Sequence, residues 1–563
     1  MDDRRPSDFH EPLVVPLSFA APGRGRRDWW PLPFDSIVVA QWLCGVLPVV
    51  RLIAVFRFQH DIDESQNLHV VYGWLVGEFP YRDRFDNHAP LFAWLFAPLA
   101  WLVGESANVV IYARLALLPF GLGALAFVFF IARRVADREV AWWTVAICLA
   151  LADWSLKSLE FRPDVIWALF WFAALWVIVR QIDRLGRRTA MALGLLLGMA
   201  LLASIKTTLL VPSLALGCLL GLVFSPVLSR QFRGLRGLWF GLIVFVFFLI
   251  PPIVGFGGLL LAGTTWEQIR FCLFDVNQAP GEGVRLICSV LGFVVTLVAS
   301  RWVFRRDDSR SAALGILLVT AGTYLCLLWA LAPELRKQTF LVVYPLVVLL
   351  ALHFSKQLLV FTPVWRLATG IACLAAMGHL LVESALWKDG MAEQRQLLTR
   401  VMELTNRQDF LFDGRGETIF ADRPVYLAFV AVTTAAVEKG ALNESDLSAL
   451  ARNPTPVAIG DLDGLPRSIR EYLKDHFLLG EDGLLRVAGY VLEPSWVDGR
   501  WIERVEVALP GKYLVIKNNE IVGYWDVKSP GLETMDFGTD RAQRFLIWAD
   551  AWYNGFRPKM QDG

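Results

Sequence analysis

The chain has 563 residues, of which 55% are hydrophobic, and its mean hydropathy is +0.47. Soluble proteins of this length are rarely so apolar, so the composition excludes an ordinary globular protein and indicates a polytopic membrane protein. The formal net charge of +1 gives no indication of nucleic-acid binding, and no nucleic-acid partner is expected.

The first 33 residues are polar and Pro-rich, which predicts a cytoplasmic tail and no cleavable signal peptide. Eleven apolar segments follow, and each is long enough to cross the hydrocarbon core as a helix. They lie near residues 34–56, 108–131, 140–157, 164–180, 190–205, 207–224, 238–262, 285–303, 311–331, 339–355 and 364–384.

Arginine clusters precede the first of these segments and follow the second, fourth, sixth and eighth. All of them fall on one side of the membrane if the N-terminus is cytoplasmic, as the positive-inside rule requires. Eleven spans then place residues 385–563 outside the cytoplasm.

A further apolar run at 89–104 is too short to span comfortably and contains Pro90 and Pro98. Counting it as a span would also move Arg133 and Arg134 outside, against the positive-inside rule. We therefore predict an interfacial or re-entrant helix within the first external loop, which covers 57–107.

Residues 385–563 have a mixed composition and are predicted to form a soluble α+β domain outside the membrane. Helical periodicity appears near 391–405 and 424–438. The apolar runs 513–517 and 521–525 flank a turn at 518–520, which predicts a β-hairpin. The predicted organisation is therefore a tail over 1–33, an all-α membrane domain over 34–384, and this α+β domain.

On this topology, the charged residues that interrupt the apolar pattern gather at the external face. The candidates are Asp61, Asp63, Glu64, Asp86, His88, Arg162, Asp164, Lys206, Arg270, Arg336 and Lys337. Ionisable groups held beside a bilayer are costly and usually functional. A carboxylate can accept a proton from an attacking hydroxyl, and cations can stabilise a departing phosphate. The set suits a substrate with an anionic head and a lipid tail.

Each candidate also has a purely structural interpretation. The acids at 61–64 could solvate a loop, Asp164 after Pro163 could cap a helix, and Lys206 could extend to the interface. Arg270, Arg336 and Lys337 could contact lipid head groups. His88 has no second histidine at ligand spacing, so no metal site is assigned. The acids at 61–64 could hold Mg²⁺ or Mn²⁺, but no cofactor is predicted.

The order of these motifs resembles the GT-C superfamily of polytopic glycosyltransferases, in particular the bacterial aminoarabinose lipid A transferases and protein O-mannosyltransferases. Asp61-Ile-Asp63-Glu64 is similar to the acidic motif of the family's first external loop, and 85–91 is similar to the later part of that loop. Ser158-Leu-Glu-Phe-Arg-Pro-Asp164 resembles the second acidic site. Lys206-Thr-Thr, the 266–277 loop, and Arg336-Lys337 before Tyr344-Pro345 continue a resemblance that covers about 34–355.

The resemblance implies transfer of a sugar, with inversion, from a polyprenyl-phosphate donor to a glycan, lipid or protein acceptor at the outer face of a bacterial inner membrane. It nominates Asp63, with Glu64 and Asp61 beside it, as the base or acceptor-orienting group. Asp86 and Asp164, with His88 and Arg162, would shape the acceptor and sugar site. Lys206, Arg270, Arg336 and Lys337 would hold the donor phosphate.

One departure is that Asn87-His88-Ala89-Pro90 stands where the aminoarabinose transferases have an acid followed by Lys-Pro, which implies a different sugar or acceptor. Two other functions stay open at this point, a transporter or flippase of a lipid-linked intermediate and an O-antigen-ligase-like transferase. Transporters tend to show two repeated halves with charges near mid-span, whereas here the charges crowd at span ends on one face and no half-repeat is visible.

Overall fold

The structure is a computed structural model of the protein. It describes residues 35–232, 235–276, 283–331 (side chains from 288), 335–359, 362–405, 409–429, 433, 434, 437 and 455–559. The predicted cytoplasmic tail, 1–33, lies outside the described residues.

The membrane region is a bundle of helices whose bounds follow the apolar segments of the sequence. The helices are α1 Ser36–Arg57, α2 Ile62–Gly73, α3 Leu91–Val103, α4 Val109–Val135, α5 Arg138–Ala150, α6 Ala152–Lys157, α7 Pro163–Arg180, α8 Arg187–Ala203, α9 Thr207–Phe224, α10 Pro226–Gln231, α11 Leu235–Leu261, α12 Trp266–Arg270, α13 Gly283–Phe304, α14 Ser309–Leu331, α15 Tyr344–Leu358 and α16 Thr362–Ser384. Short 3₁₀ turns cover Trp74–Val76 and Lys337–Phe340, and a π-helical turn covers Phe271–Asp275.

Within the described part of the chain, seven helices are long and apolar enough to cross a membrane. They are α1, α4, α7, α9, α11, α14 and α16. The polytopic fold class is therefore confirmed. A helix also lies at each of the other four predicted spans, and the count of eleven spans stays a prediction. Helix α3 has only 13 residues, or roughly 20 Å, which is short for a hydrocarbon core of about 30 Å.

The predicted span at 140–157 is not one continuous helix. Leu151 has an extended backbone (φ −67°, ψ 116°), and this residue separates α5 from the short α6. The new helix begins just before Asp153, whose carboxylate is favourable in a first turn. The break places Asp153 and Lys157 on α6. Lys157 donates from there to Asp61 in the first external loop.

The C-terminal region packs a sheet between two hydrophobic clusters. Its elements are α17 Ala392–Leu404, β1 Leu411–Phe412, β2 Val457–Ile459, α18 Arg467–His476, β3 Phe477–Leu479, β4 Leu485–Leu492, β5 Ser495–Val497, β6 Arg500–Val507, β7 Gly511–Lys517, β8 Glu520–Val527, β9 Gly531–Asp536, β10 Arg544–Trp548 and α19 Ala549–Tyr553. The seven-stranded sheet has the order β1-β2-β4-β10-β7-β8, with β3 also paired to β4, and β5-β6-β9 form a second sheet. Only the β1–β2 pairing is parallel among these described strands.

Two local predictions for this region are confirmed and one is partly wrong. Helix α17 lies where periodicity predicts it, and β7 and β8 form the predicted hairpin around Asn518 and Asn519, which both have positive φ. The predicted helix at 424–438 is not helical over 424–429. Val425 and Phe429 are buried in the core of the C-terminal region. The spacing of apolar residues in this segment therefore reflects tertiary packing and not one face of a helix. Most of 430–438 lies outside the described residues.

Gly390 of the C-terminal region is hydrogen-bonded to the segment that follows α1. The amide of Gly390 donates to the carbonyl of Arg57 at 2.9 Å, and the amide of His60 donates to the carbonyl of Gly390 at 3.2 Å. A Cβ at position 390 would lie 2.5 Å from the Cα of Gln59, so only glycine permits this approach. These two hydrogen bonds hold the segment that leads into α2, and α2 carries the acidic motif.

Candidate active site at one end of the bundle

Helix α2 begins with a capping box formed by the acidic motif itself. Asp61 is the N-cap, and its Oδ1 accepts from the amide of Asp63 at 3.0 Å. The carboxylate of Glu64 accepts in return from the amide of Asp61 at 3.1 Å. These local bonds leave Oδ2 of Asp61 and the carboxylate of Asp63 available to other segments.

Glu64 is fully buried and tied to α4. Its Oε1 accepts from Nε of Arg114 at 2.8 Å, and Arg114 also donates to the carbonyls of Phe58 and Gln59, each at 2.9 Å. Burial raises the pKa of Glu64, but the guanidinium of Arg114 outweighs it and the net shift is downward. Glu64 therefore holds the loop that precedes α2 and does not face a substrate.

The segment between α6 and α7 docks on α2 through the backbone of Phe161. The amide of Phe161 donates to Oε1 of Glu64 at 2.8 Å, and the side chain of Asn67 donates to the Phe161 carbonyl at 3.1 Å. This contact brings Arg162 and Asp164 beside the acids at the start of α2.

Arg162 is the centre of the cluster. Its Nη1 lies 2.5 Å from Oδ2 of Asp63 and 3.4 Å from Oδ1 of Asp61, and its Nε lies 3.5 Å from Oδ2 of Asp164. Burial lowers the pKa of Arg162, but the surrounding carboxylates outweigh burial and raise it above the ordinary value. The guanidinium is therefore a fixed positive charge that joins three predicted site carboxylates.

Lys206 joins the cluster from the start of α9. Its Nζ lies 2.9 Å from Oδ1 of Asp164 and 5.7 Å from the ring centre of Trp167, and about a third of the side chain is exposed. The N-cap of α7 is Arg162, which makes no side-chain capping bond. Asp164 thus binds Lys206 and lies near Arg162, and its capping role is not supported.

Asp86 and His88 form a unit next to Asp164. Oδ1 of Asp86 accepts from the amide of His88 at 2.9 Å and lies 3.1 Å from His88 Nδ1. The imidazole also interacts electrostatically with Asp164. Among the described residues, no group of three His, Cys, Asp or Glu side chains is arranged to hold a metal ion. A divalent cation at 61–64 would compete with the cations already paired there.

The three remaining predicted cations have different positions. Arg336 lies 3.9 Å from Asp63 and so belongs to the cluster. Lys337 pairs with Asp153 at 2.9 Å and with Glu383 at 3.7 Å, at the edge of the cluster. Arg270 is 62% exposed and pairs with Asp275 at 3.3 Å. Over the described ranges, no ion pair connects Arg270 to the cluster.

Four charged residues of this region are absent from the predicted set. Lys157 bridges Oδ2 of Asp61 at 3.0 Å and Oε1 of Glu160 at 2.6 Å. Glu160 is 1% exposed, and burial, reinforced by Asp61, raises its pKa to about 8. The others are Arg114 and the buried Arg51, whose Nη2 donates to the carbonyl of Ser158 at 3.3 Å.

A signal for three of these residues is present in the sequence. Three of them, Arg51, Arg114 and Lys157, fall inside predicted spans. Placing an ionisable side chain in a membrane costs free energy, so such a residue indicates a functional role or a buried ion-pair partner. Glu160 belongs to the second acidic motif, but nothing in the sequence distinguishes it from Asp164.

Comparisons with known proteins agree with this architecture. A family model described as dolichyl-phosphate-mannose-protein mannosyltransferase matches residues 87–254. The structure of ArnT from Cupriavidus metallidurans bound to undecaprenyl phosphate is similar with a TM-score of 0.53 and 15% identity, over 81% of this chain and 98% of that chain. Its apo state gives a TM-score of 0.53 and 16% identity, over 80% and 97% of the two chains.

The oligosaccharyltransferase AglB from Archaeoglobus fulgidus, in complex with an inhibitory peptide and a dolichol-phosphate, covers 91% of this chain and 77% of its own. That comparison gives a TM-score of 0.44 and 12% identity. No curated protein matches the chain in sequence. The likeness to ArnT shows that the two chains share a fold, and the family model matches residues 87–254 of this chain.

Proposed function

We propose that this chain is an inverting glycosyltransferase that moves a sugar from a polyprenyl-phosphate donor to a cell-envelope acceptor at the outer face of the membrane. One observation carries the proposal. Carboxylates and cations from four separate segments converge at one end of an apolar bundle. They are Asp63 in α2, Arg162 and Asp164 at the start of α7, Lys206 before α9, and Arg336. The fold shared with ArnT and the family match over 87–254 support the same class of reaction.

The chemistry requires the acceptor oxygen to attack the anomeric carbon while the bond from that carbon to the phosphate oxygen breaks. The electron pair of the broken bond stays on the polyprenyl phosphate, which gains negative charge. Fixed cations stabilise this charge as it develops. The acceptor proton passes to a carboxylate if the acceptor is a hydroxyl. If the acceptor is a phosphate, the carboxylates mainly orient it.

Among the three acids at the start of α2, Asp63 suits the role of base or acceptor-orienting group. Its side chain is 15% exposed, whereas Glu64 is buried against Arg114. Asp61 is held by ion pairs to both Lys157 and Arg162. Asp61 is also occupied as the helix cap. We assign positioning roles to Asp61 and Glu64.

Lys206 and Arg336 suit the donor phosphate. Both side chains are about one-third exposed, at 34% and 36%, and both lie beside the acids that would hold the sugar and acceptor. Lys337 would add positive charge at the edge of the site. Asp86, His88 and Asp164 would shape the sugar pocket. We place the protein in a bacterial inner membrane, with this end of the bundle facing outward.

The test is a turnover assay with the purified protein in nanodiscs, a panel of labelled polyprenyl-phosphate sugars, and membrane extract as the acceptor. Release of polyprenyl phosphate is measured for wild type, Asp63→Asn and Lys206→Met. Removal of one transition-state contact of this kind costs roughly 10²–10³-fold in rate. Asp307→Asn is the matched control, because Asp307 is exposed and pairs with Arg230 of α10, away from the cluster.

Turnover of one donor that collapses in both site variants, and persists in Asp307→Asn, supports the proposal and identifies the sugar. Absence of turnover with every donor, while wild type and both variants bind the lipids equally well, contradicts it. That result would favour a transporter of a lipid-linked intermediate.

A further inference from the structure

A polar cavity lies at the end of the bundle opposite the acidic cluster. Helix α4 passes from Arg114, which binds Glu64 of the acidic motif, to Val135 in the cavity wall, roughly 30 Å further along the helix. The other walls come from the ends of α13 and α15 and from the start of α14. The cavity has a volume of about 340 Å³, which is in the range of small-ligand sites. The residues that line it are separate from the transfer site proposed above.

Charged side chains of both signs line this cavity. The cations are Arg306, Arg310 and Lys356, and the carboxylates are Asp137 and Asp308. Nζ of Lys356 lies 3.0 Å from Oδ2 of Asp137 and 2.6 Å from Oε2 of Glu139. Glu139 also pairs with Arg366 at 2.9 Å. In and beside the cavity, four cations are thus set against three carboxylates, which leaves one positive charge unmatched.

The carboxylate of Asp308 is engaged by its own helix. Its Oδ1 accepts from the amide of Ser311 at 2.8 Å, and its Oδ2 accepts from the hydroxyl of Ser311 at 2.7 Å. A carboxylate placed in this way caps the free amides at the start of α14. Asp307, the preceding residue, pairs with Arg230 outside the cavity.

The two arginines of the cavity are the cations that have no carboxylate partner. Both side chains are exposed, and neither guanidinium forms an ion pair or a hydrogen bond with the residues that the structure describes. The guanidinium of Arg306 lies 5.2 Å from the ring centre of Trp302, a cation–π contact that holds it at the cavity wall. Arg306 and Arg310 therefore offer their donors to an anion.

The surface next to the cavity favours an anion that belongs to a lipid. Trp302 is exposed and continues into an apolar stripe of α13 formed by Val298, Val295 and Leu291, which are also exposed. Successive members of this stripe are three or four residues apart, so they lie on one face of the helix. Tryptophan is enriched at membrane interfaces, and basic pockets between transmembrane helices on the cytoplasmic side bind anionic head groups. The positive-inside rule predicts that this end of the bundle is the cytoplasmic one.

We infer that this cavity binds the phosphate-bearing head group of an anionic phospholipid from the cytoplasmic leaflet. The phosphate oxygens accept from Arg306 and Arg310, since a guanidinium presents several donors in one plane and suits phosphate geometry. The acyl chains lie along the apolar stripe of α13. A ligand that binds only the folded protein stabilises it, so the lipid strengthens the packing of α4, α13, α14 and α15 at this end. The assignment does not depend on the proposed transferase function.

The experiment measures ligand binding to the full-length, delipidated protein in detergent. Dioleoylphosphatidylglycerol is the anionic probe, and dioleoylphosphatidylcholine, which has the same acyl chains and no net charge, is its control. Glycerol 3-phosphate and inorganic phosphate test whether the ligand is a soluble anion. Each Kd is taken from the shift in unfolding temperature as the ligand is titrated.

The test variant carries Arg306→Gln and Arg310→Gln together. Its matched control carries Arg187→Gln and Arg188→Gln, because these two arginines are exposed at the same end of the bundle and do not line the cavity. Lys206→Met removes a cation of the transfer site and reports whether the lipid binds there instead. The unfolding temperature without ligand shows whether each variant is folded. The two single substitutions replace the test variant if it does not fold.

Phosphatidylglycerol is expected to bind wild type, the matched control and Lys206→Met alike, and to bind more tightly than phosphatidylcholine. Its affinity is expected to fall about tenfold or more in the test variant, as for loss of one charged hydrogen bond. Unchanged affinity in the test variant overturns the inference, as does equal binding of the two lipids or no lipid binding to wild type. An equal loss in the matched control indicates diffuse attraction to a basic surface, and a loss in Lys206→Met alone indicates the transfer site. Soluble phosphates that bind as tightly as phosphatidylglycerol indicate a soluble ligand, and each of these three results also overturns the inference.

Discussion

The ion pair between Glu64 and Arg114 shows how a single buried charge organises the site. Both side chains are fully buried, and Arg114 also donates to two backbone carbonyls of the loop before α2, those of Phe58 and Gln59. Removing one partner of a buried pair leaves an uncompensated charge, which typically costs 3–5 kcal/mol. We expect Arg114→Met to destabilise the protein by about that amount, measured as the free energy of unfolding in detergent.

The matched control is the double variant Glu64→Gln with Arg114→Met. Because it removes both charges, it should be more stable than Arg114→Met alone. Equal instability of the single and double variants would show that Arg114 acts through packing and its backbone bonds, and not through its charge on Glu64.

Glu160 gives the site a specific pH dependence. Burial and the neighbouring Asp61 raise its pKa from 4.5 to about 8, so the folded protein binds a proton that the unfolded chain has lost. Stability rises with pH only where the unfolded state binds more protons. Here the folded state binds more, so this residue makes stability fall as pH rises from about 4.5 to about 8.

We therefore expect Glu160→Gln to flatten the decline of unfolding temperature over that pH window. Each pKa unit corresponds to about 1.4 kcal/mol, so the effect on unfolding free energy should be of the order of a few kcal/mol. Glu403→Gln, on the exposed face of α17, serves as a control that should keep the wild-type pH profile. A Glu160→Gln profile parallel to that of wild type would show that Glu160 is ionised in the folded protein.

At the scale of elements, α2 combines a structural cap with the acids of the site. Asp61 caps the helix and also pairs with Lys157. A serine retains the capping oxygen but not the carboxylate, whereas an alanine retains neither. We expect Asp61→Ser to be about 1 kcal/mol more stable than Asp61→Ala, measured by thermal unfolding.

Measuring turnover in Asp61→Ser and Asp61→Ala distinguishes the capping role of Asp61 from the role of its negative charge. Both variants should lose activity to a similar extent if the Asp61 carboxylate positions Arg162 and Lys157. Wild-type turnover in Asp61→Ser, with loss in Asp61→Ala, would show that capping is the whole contribution of this residue.

The extent to which the sequence predicts these elements follows from the range of the interactions. The β7–β8 hairpin is set by residues close in sequence, and it is predicted. The capping box that begins α2 is equally local, but this segment is predicted as part of a loop and the helix is missed. The break at Leu151 and the non-helical chain at 424–429 are not predicted, because packing between distant segments decides them. Apolar spacing alone does not distinguish a helix from a buried irregular segment.

The same reasoning applies to the site. Motif order is sufficient to nominate Asp63, Arg162, Asp164 and Lys206, which the fold brings together. Arg270 carries the same signal in the sequence, yet it pairs with Asp275. Ion-pair partners depend on which helices become neighbours, and a single sequence does not contain that information.

At the scale of the whole molecule, the charged loops separate to the two ends of the bundle. Helix α4 runs from Arg114 near the acidic cluster to Arg134, a distance of roughly 30 Å, about the thickness of a hydrocarbon core. Arg134 pairs with Asp183 at 2.6 Å, and Asp183 also accepts from Ser309. The loops that follow the second, fourth and eighth predicted spans therefore meet at the end opposite the cluster.

This separation makes the orientation of the protein testable. The arginine-rich end is predicted to be cytoplasmic, and the cluster with the C-terminal region is predicted to lie outside. We expect Tyr524→Cys, on the exposed surface of β8, to react with a membrane-impermeant maleimide on intact cells. Arg230→Cys, which is exposed in α10 at the arginine-rich end, should react only after permeabilisation.

Cys288 is the exposed native thiol among the described cysteines, so both substitutions are made in a Cys288→Ser background, which alone gives the baseline signal. Labelling of both positions on intact cells would indicate leaky cells, and it is checked with a cytoplasmic marker protein. Labelling of Arg230→Cys alone would reverse the orientation. The acidic cluster would then face the cytoplasm, and a lipid-linked donor would have to be used at the inner leaflet.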